Sequence, residues 1–181
     1  AADSVTRSVK WIPATVPGAV QLDVARAEKY DTWYYGENWK NYLWMEDAGF
    51  TYRASFIKPA LKTGEKLFFY SGEIDYVFDI LLNDEKLLHQ EGMFTPVKID
   101  LTDRLKEQNE IKVVIHPVPK SRTAPVDRSQ ADHSVKPAVS YGWDWHPRLV
   151  PSGIWDETGL VIEPEITVTG IQISYVLSDS L

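Results

Sequence analysis

Residues 76–89 read YVFDILLNDEKLLH, two short apolar runs joined by Asn83-Asp84. Asn and Asp tolerate the left-handed backbone that a two-residue hairpin turn demands, so the runs DILL and KLL are expected to fold back on one another as antiparallel strands. Moving outward, the same period of two returns at Thr51–Ile57, Lys66–Tyr70, Tyr76–Leu82, Lys86–His89, Thr95–Leu101, Glu110–His116 and Glu157–Ile162. These runs are rich in aromatic or β-branched residues and are separated by turn chemistry such as Lys62-Thr63-Gly64-Glu65. The series predicts an all-β fold, a jelly-roll β-sandwich. Helical spacing is confined to Ala19–Ala27, where Val20, Val24 and Ala27 recur after Pro17-Gly18, and this helix is expected to be peripheral.

Composition bounds the function. A chain of 181 residues, 44% hydrophobic and 25% charged, can bury a real core. The net charge of -7, without any basic run, argues against a nucleic-acid partner, whose phosphates require clustered Lys and Arg. No apolar stretch is long enough to span a bilayer as a helix, so no membrane partner is expected. The absence of cysteine excludes disulfides and thiolate metal sites and leaves the compartment open, a periplasmic or secreted location included. The four histidines, His89, His116, His133 and His146, show no close ligand spacing, so neither a metal site nor a cofactor is expected.

Three stretches break the strand pattern. Tyr30–Ala48 is crowded with rings, Trp33, Tyr34, Tyr35, Trp39, Tyr42 and Trp44 among them, and reads as a long connection pinned to a surface. Lys120–Pro137, rich in Pro, Ser, Asp and Lys, reads as a mobile excursion. After Pro164 the segment ITVTGIQISYVL alternates strongly with no partner run in sight, as the first strand of a following domain would. The expected division is a sandwich domain over residues 1–163 and a linker with that first strand over residues 164–181.

Between the excursion and the last sandwich strand lies SYGWDWHPRLVPSGIWDE, Ser140–Glu157. Gly142, Pro147, Pro151 and Gly153 forbid a helix or long strand, and Pro147 biases His146 towards extended backbone. Trp143, Asp144 and Trp145 are therefore expected on a shaped, turn-rich loop. Indole faces beside a carboxylate suit a sugar: the rings pack on its C–H faces and the carboxylate accepts from its hydroxyls. Core packing explains any single tryptophan about as well.

These residues carry a family resemblance. TVPGAVQLDVARA, YYGENWKNYLWMEDAGFTYRASF, LLNDEKLLHQEGMFTPVKIDLTDRL, NEIKVVIHPV and KPAVSYGWDWHPRLVPSGIW, in that order, resemble the amino-terminal, galactose-binding-domain-like sugar-binding domain of glycoside hydrolase family 2. MFTP and YGWDW look like its β-mannosidase branch, which carries Gly-Pro where this chain has His146-Pro147. The resemblance spans nearly all of residues 11–163, although the first strand of the family's domain, due before Trp11, is barely present. It implies that an immunoglobulin-like domain and a (β/α)8 barrel follow in the parent chain, and that the barrel holds the chemistry. Retaining glycosidases need two carboxylates about 5 to 5.5 Å apart. The family's acid/base Glu follows an Asn, but Asn109-Glu110 heads a strand and reads as a ladder pair, so the chain contributes no catalytic residue and alone is expected to be inactive. By match of motif, Trp143 and Asp144 bind the sugar at the non-reducing end, with Trp145 supporting the loop.

The expected function is thus a non-catalytic domain that adds a Trp-Asp-Trp loop to the pocket of an exo-β-glycosidase acting on a β-linked saccharide. Three other readings stay open: an independent carbohydrate-binding module, the same domain of a β-galactosidase or exo-β-glucosaminidase, and a purely architectural sandwich.

Overall fold

The two-residue turn forms as its chemistry dictates. In the computed structural model, which describes residues 10–168 and 170–177, Asn83 and Asp84 both take positive φ, 51° and 70°. The Asn83 side chain does a second job by bonding to the neighbouring strand: its Oδ1 accepts from the Glu110 amide and its Nδ2 donates to Asn109 Oδ1, each at 3.0 Å. The segment ahead of Lys10, where an additional strand would fall, and residues 178–181 lie outside the described residues.

Nine strands follow in chain order: β1 Phe50–Ile57, β2 Lys66–Ser71, β3 Ile74–Asp75, β4 Val77–Leu82, β5 Glu85–Glu91, β6 Val97–Asp100, β7 Gln108–Ile115, β8 Gly153–Ile154 and β9 Thr158–Glu163. One antiparallel sheet runs β1-β7-β4-β5, a second β6-β2-β9, and β3 pairs with β8 in a short ladder. All seven predicted strands are present. The ladder of two-residue strands was not foreseen, because two residues are too few to show a period. Inward positions alternate as a half-buried sheet requires: Phe78, Ile80 and Leu82 from β4 meet Leu67 and Phe69 from β2 and Ile111, Val113 and Ile115 from β7 in one core. Phe78, Ile80 and Ile115 are fully buried, each contributing about 1.5–3 kcal/mol of transfer free energy. The outcome is the expected all-β sandwich.

The helix, α1 (Val20–Glu28), ends where Lys29 turns left-handed at φ 58°. It does not sit idle at the periphery. Val20, Val24 and Ala25 bury against Tyr42 and Met45 in a second cluster, with Trp33, Trp44 and Tyr30 packed around it. Tyr42 and Met45 belong to a 3-10 segment, Asn38–Asp47, so the ring-rich connection is pinned as predicted, with the Tyr42 hydroxyl donating to the Asp31 carbonyl at 2.9 Å. Tyr34 and Tyr35 point to solvent.

The excursion departs from its reading as a mobile loop. It carries a 3-10 turn, Arg128–Ala131, and buries Ser121, Gln130, Ala131 and Lys136. Ala131 joins Val118, Tyr141 and Val150 in a third small cluster. Polar composition misled here because the residues that turn inward, Ser121, Gln130 and Lys136 with Ala131, are mostly polar, while Val126 and Val135 stay exposed. Residues 166–168 and 170–177 form no strand and are exposed. Glu110 faces outward on β7 and pairs with Lys112 at 2.9 Å, as a ladder residue does.

Candidate functional site

The loop after Tyr141 is held from three sides. From α1, Gln21 donates to the Val150 carbonyl at 3.1 Å and accepts from the Ser152 amide at 3.2 Å, so one side chain imitates a strand partner. Further along, the Gly18 amide donates to the Ile154 carbonyl at 2.7 Å. The backbones are so close that a Cβ on Gly153, whose φ is 151°, would lie 2.5 Å from the Gly18 oxygen. Only glycine fits that crossing.

The second support is ionic. Lys136 Nζ donates to Asp75 Oδ2 and, at 2.5 Å, to the Pro151 carbonyl; the two side chains are 1% and 5% exposed. Burial pushes the Asp75 carboxyl up from its ordinary value and the Lys136 ammonium down, and their mutual attraction opposes both shifts. The third support centres on Glu46 in the 3-10 segment. Its carboxylate accepts from Arg148 Nε at 3.1 Å and Nη2 at 2.9 Å, and from Lys120 Nζ at 2.7 Å. Arg148 comes from the loop and Lys120 from the excursion, so one carboxylate ties both segments to the aromatic connection. Bidentate arginine contacts fix orientation as well as distance. Beneath them the buried Tyr141 hydroxyl donates to the Pro119 carbonyl at 2.6 Å.

On this base the tip closes with the Trp143 amide donating to the His146 carbonyl at 2.9 Å. Trp143 and Trp145 are 45% and 72% exposed, and Asp144 between them is exposed as well. Arg128 stacks its guanidinium 3.6 Å from the Trp143 ring centre, and the indole nonetheless keeps its exposed surface. The His146 ring lies between Trp145 and Trp33, at 5.8 and 6.3 Å. Asp144 has no hydrogen bond or ion pair among the described residues. A rigid loop thus holds an unpaired carboxylate and two indoles towards solvent, the equipment for accepting hydroxyl hydrogen bonds beside an apolar wall. Phe94 and Trp155 meet edge to face at 6.0 Å, both partly exposed. A broad concavity lined by Trp11, Tyr52, Phe56, Phe69, Ile111 and Leu160 runs along the side of the sandwich; Ile154 at the base of the loop reaches it, and Trp143, Asp144 and Trp145 do not line it.

Sequence reasoning placed Trp143, Asp144 and Trp145 together on a constrained loop, and the structure keeps them so. It missed what braces them: Gln21, Glu46, Asp75, Lys120, Lys136, Arg128 and Arg148. Their partners are distant in sequence, and a lone Lys or Glu carries no local mark of burial.

The model of the glycosyl hydrolase 2 galactose-binding domain-like family matches residues 2–156. The chain belongs to that family. Among curated relatives of this family 2 domain, β-mannosidase B of Emericella nidulans is 28% identical over 84% of the chain, and that of Aspergillus clavatus 26% over the same share. The chain spans about a fifth of the length of these relatives, 20% in each case. Among solved structures, the β-D-mannosidase of Dictyoglomus thermophilum matches 88% of the chain and 21% of its own, with a TM-score of 0.67 at 26% identity. The galactose-binding-like sandwich and the likeness to β-mannosidases, both expected from the sequence, stand.

Proposed function

We propose that this family 2 domain is the non-catalytic amino-terminal part of a β-mannosidase-like exo-glycosidase, and that Trp143, Asp144 and Trp145 enter a substrate pocket completed by a barrel domain further along the parent chain. The observation that carries the reading is Asp144 itself: exposed, unpaired, and set between two exposed indoles on a loop braced by buried ion pairs. A carboxylate placed only for stability would accept backbone donors, as Glu46 accepts its cations. The alternating sequence after Pro164, exposed at residues 166–168 and 170–177, fits the opening strand of an immunoglobulin-like domain that follows the sandwich.

The chemistry assigned to the loop is recognition. Asp144 accepts hydrogen bonds from sugar hydroxyls, the exposed part of the Trp143 indole packs on the C–H face of the pyranose, and Trp145 shields the contact from water. Charged hydrogen bonds of this kind are worth about 1.5–3 kcal/mol. Where they tighten in the transition state their loss appears in kcat/KM. In the full-length protein Asp144→Asn is therefore expected to lower kcat/KM on an aryl β-mannoside by roughly 10- to 100-fold, with the melting temperature unchanged. A destabilised variant with full activity per folded molecule would end this reading and favour the architectural one.

A further inference from the structure

The outer face of the four-stranded sheet gathers two imidazoles and a carboxylate that the Trp loop does not use. Asp79 on β4 lies opposite His89 on β5, while Val114 on β7 lies on its other side, so His116, two residues beyond Val114, is its diagonal neighbour on the same face. The His116 amide donates to the Val77 carbonyl at 2.8 Å, which carries the strand alignment past the end of β7. Asp79 presents one oxygen to each ring: Oδ1 lies 2.6 Å from His89 Nδ1 and Oδ2 3.0 Å from His116 Nε2. One donor atom from each of the three side chains lies within 4.8 Å of the others. The Asp79 side chain is 10% exposed, whereas His89 and His116 are 56% and 39% exposed, so the cluster has a fixed floor and an open top. The bulge in β5 between the partners of Ile80 and Leu81 then turns Lys86 to this face, with its Nζ 3.0 Å from Asp79 Oδ1.

From this arrangement we infer that Asp79, His89 and His116 form a surface site for a borderline divalent transition metal, with zinc the best fit. Two imidazole nitrogens and one carboxylate oxygen suit Zn²⁺ and disfavour Mg²⁺ and Ca²⁺, which take all-oxygen shells. The site is preorganised because Asp79 and His89 stand on paired strands and His116 directly follows β7, the strand on the other side of β4. A tetrahedral ion at about 2.0–2.1 Å from each donor separates the donors by about 3.3 Å. With one donor atom from each side chain within 4.8 Å of the others, the three reach that spacing by shifts of about 1.5 Å or less, a side-chain adjustment. The remaining position faces solvent and takes water. Lys86 holds the place of the ion at Oδ1, and its long, half-exposed side chain swings out when the metal enters. Bound metal ties β4, β5 and β7 together on the face opposite the core.

Zinc titration of the untagged 181-residue chain by calorimetry, with Co²⁺ absorption as a second probe, tests the site. One ion per chain is expected with a dissociation constant of about 10 µM or tighter, together with a higher melting temperature in zinc. His89→Ala and His116→Ala each weaken binding at least tenfold and abolish the thermal shift, and His133→Ala changes neither. Lys86→Met, which removes the competing ammonium, binds zinc several-fold tighter, an effect a purely hydrogen-bonded cluster does not produce. His89, His116 and Lys86 lie on the outer face of the sheet and His133 is exposed in the excursion, so circular dichroism should show each variant folded. No saturable binding below about 1 mM, binding unchanged in either His89→Ala or His116→Ala, or binding no tighter in Lys86→Met overturns the assignment.

Discussion

Lys136→Met removes one ammonium and leaves the rest of the sandwich intact. Asp75 Oδ1 already lacks a hydrogen-bond partner, so the variant strips Oδ2 of its cation and leaves a buried, unpaired carboxylate. The Pro151 carbonyl loses its donor at the same moment. Breaking a buried pair from one side costs about 3–5 kcal/mol, and the carbonyl's loss falls within that range because both share one ammonium. For a chain of this size that is a fall in melting temperature of roughly 6–20 °C. The cost depends on pH, with a definite sign. Burial already raises the Asp75 carboxyl above its ordinary 3.8, and losing Lys136 raises it further. A group raised in the folded state favours folding fully below its unfolded value and loses that contribution as pH rises through its folded value. The deficit of Lys136→Met is therefore smallest in acid and grows towards neutrality. Urea unfolding followed by tryptophan fluorescence, at pH 4 and pH 7, reads both effects. Adding Asp75→Leu should recover most of the lost stability, since an apolar replacement of both partners leaves no stranded charge. A Lys136→Met protein within about 1 kcal/mol of wild type at neutral pH would refute the reasoning, because no buried charge in this geometry is so cheap.

Three further outcomes follow. The isolated chain should not hydrolyse aryl β-mannosides, and it should bind mannose with a dissociation constant of about 1 mM or weaker, since one loop supplies only part of a pocket; micromolar binding by calorimetry would favour an independent carbohydrate-binding module. Burial and the nearby Asp75 carboxylate push the Tyr141 phenol from 10.0 up to about 12, so its bond to Pro119 contributes fully below pH 10 and is lost as pH rises through 12. The stability gap between wild type and Tyr141→Phe should stay constant up to pH 10 and close above it, and a gap that stays unchanged between pH 10 and pH 12 would show that the phenol is not so held.

The sandwich was legible because its signals are local. Within Val77–Leu82, Phe78, Ile80 and Leu82 recur at a period of two on the core side, and Asn83-Asp84 states its own turn, so strand and hairpin can be read without knowing any partner. The helix was readable for the same reason, from Val20 and Val24. Its packing was not, because nothing in VQLDVARAE names Met45 or Tyr42 as neighbours. The Trp loop was found by composition, through Gly142, Pro147 and the indoles themselves. Its bracing was invisible: Lys136 lies in a stretch whose Ser, Pro and Asp content resembles that of solvated loops, and only Asp75, far back in the chain, explains its burial. The same holds for His89 and His116. Metal ligands on a helix or a tight turn leave a spacing in the sequence, whereas ligands on neighbouring strands or just past their ends leave none, because register and not spacing brings them together.

The central claim is that Asp144 touches a sugar hydroxyl, and a cycle between enzyme and substrate measures that contact alone. In the full-length protein, kcat/KM is determined for wild type and Asp144→Asn on an aryl β-mannoside and on a set of deoxy analogues, each lacking one hydroxyl. The contact predicts that removing one particular hydroxyl costs wild type roughly 10- to 100-fold and costs Asp144→Asn almost nothing, since the interaction is already gone. Losses that simply multiply for every hydroxyl would contradict it and place Asp144 outside the pocket.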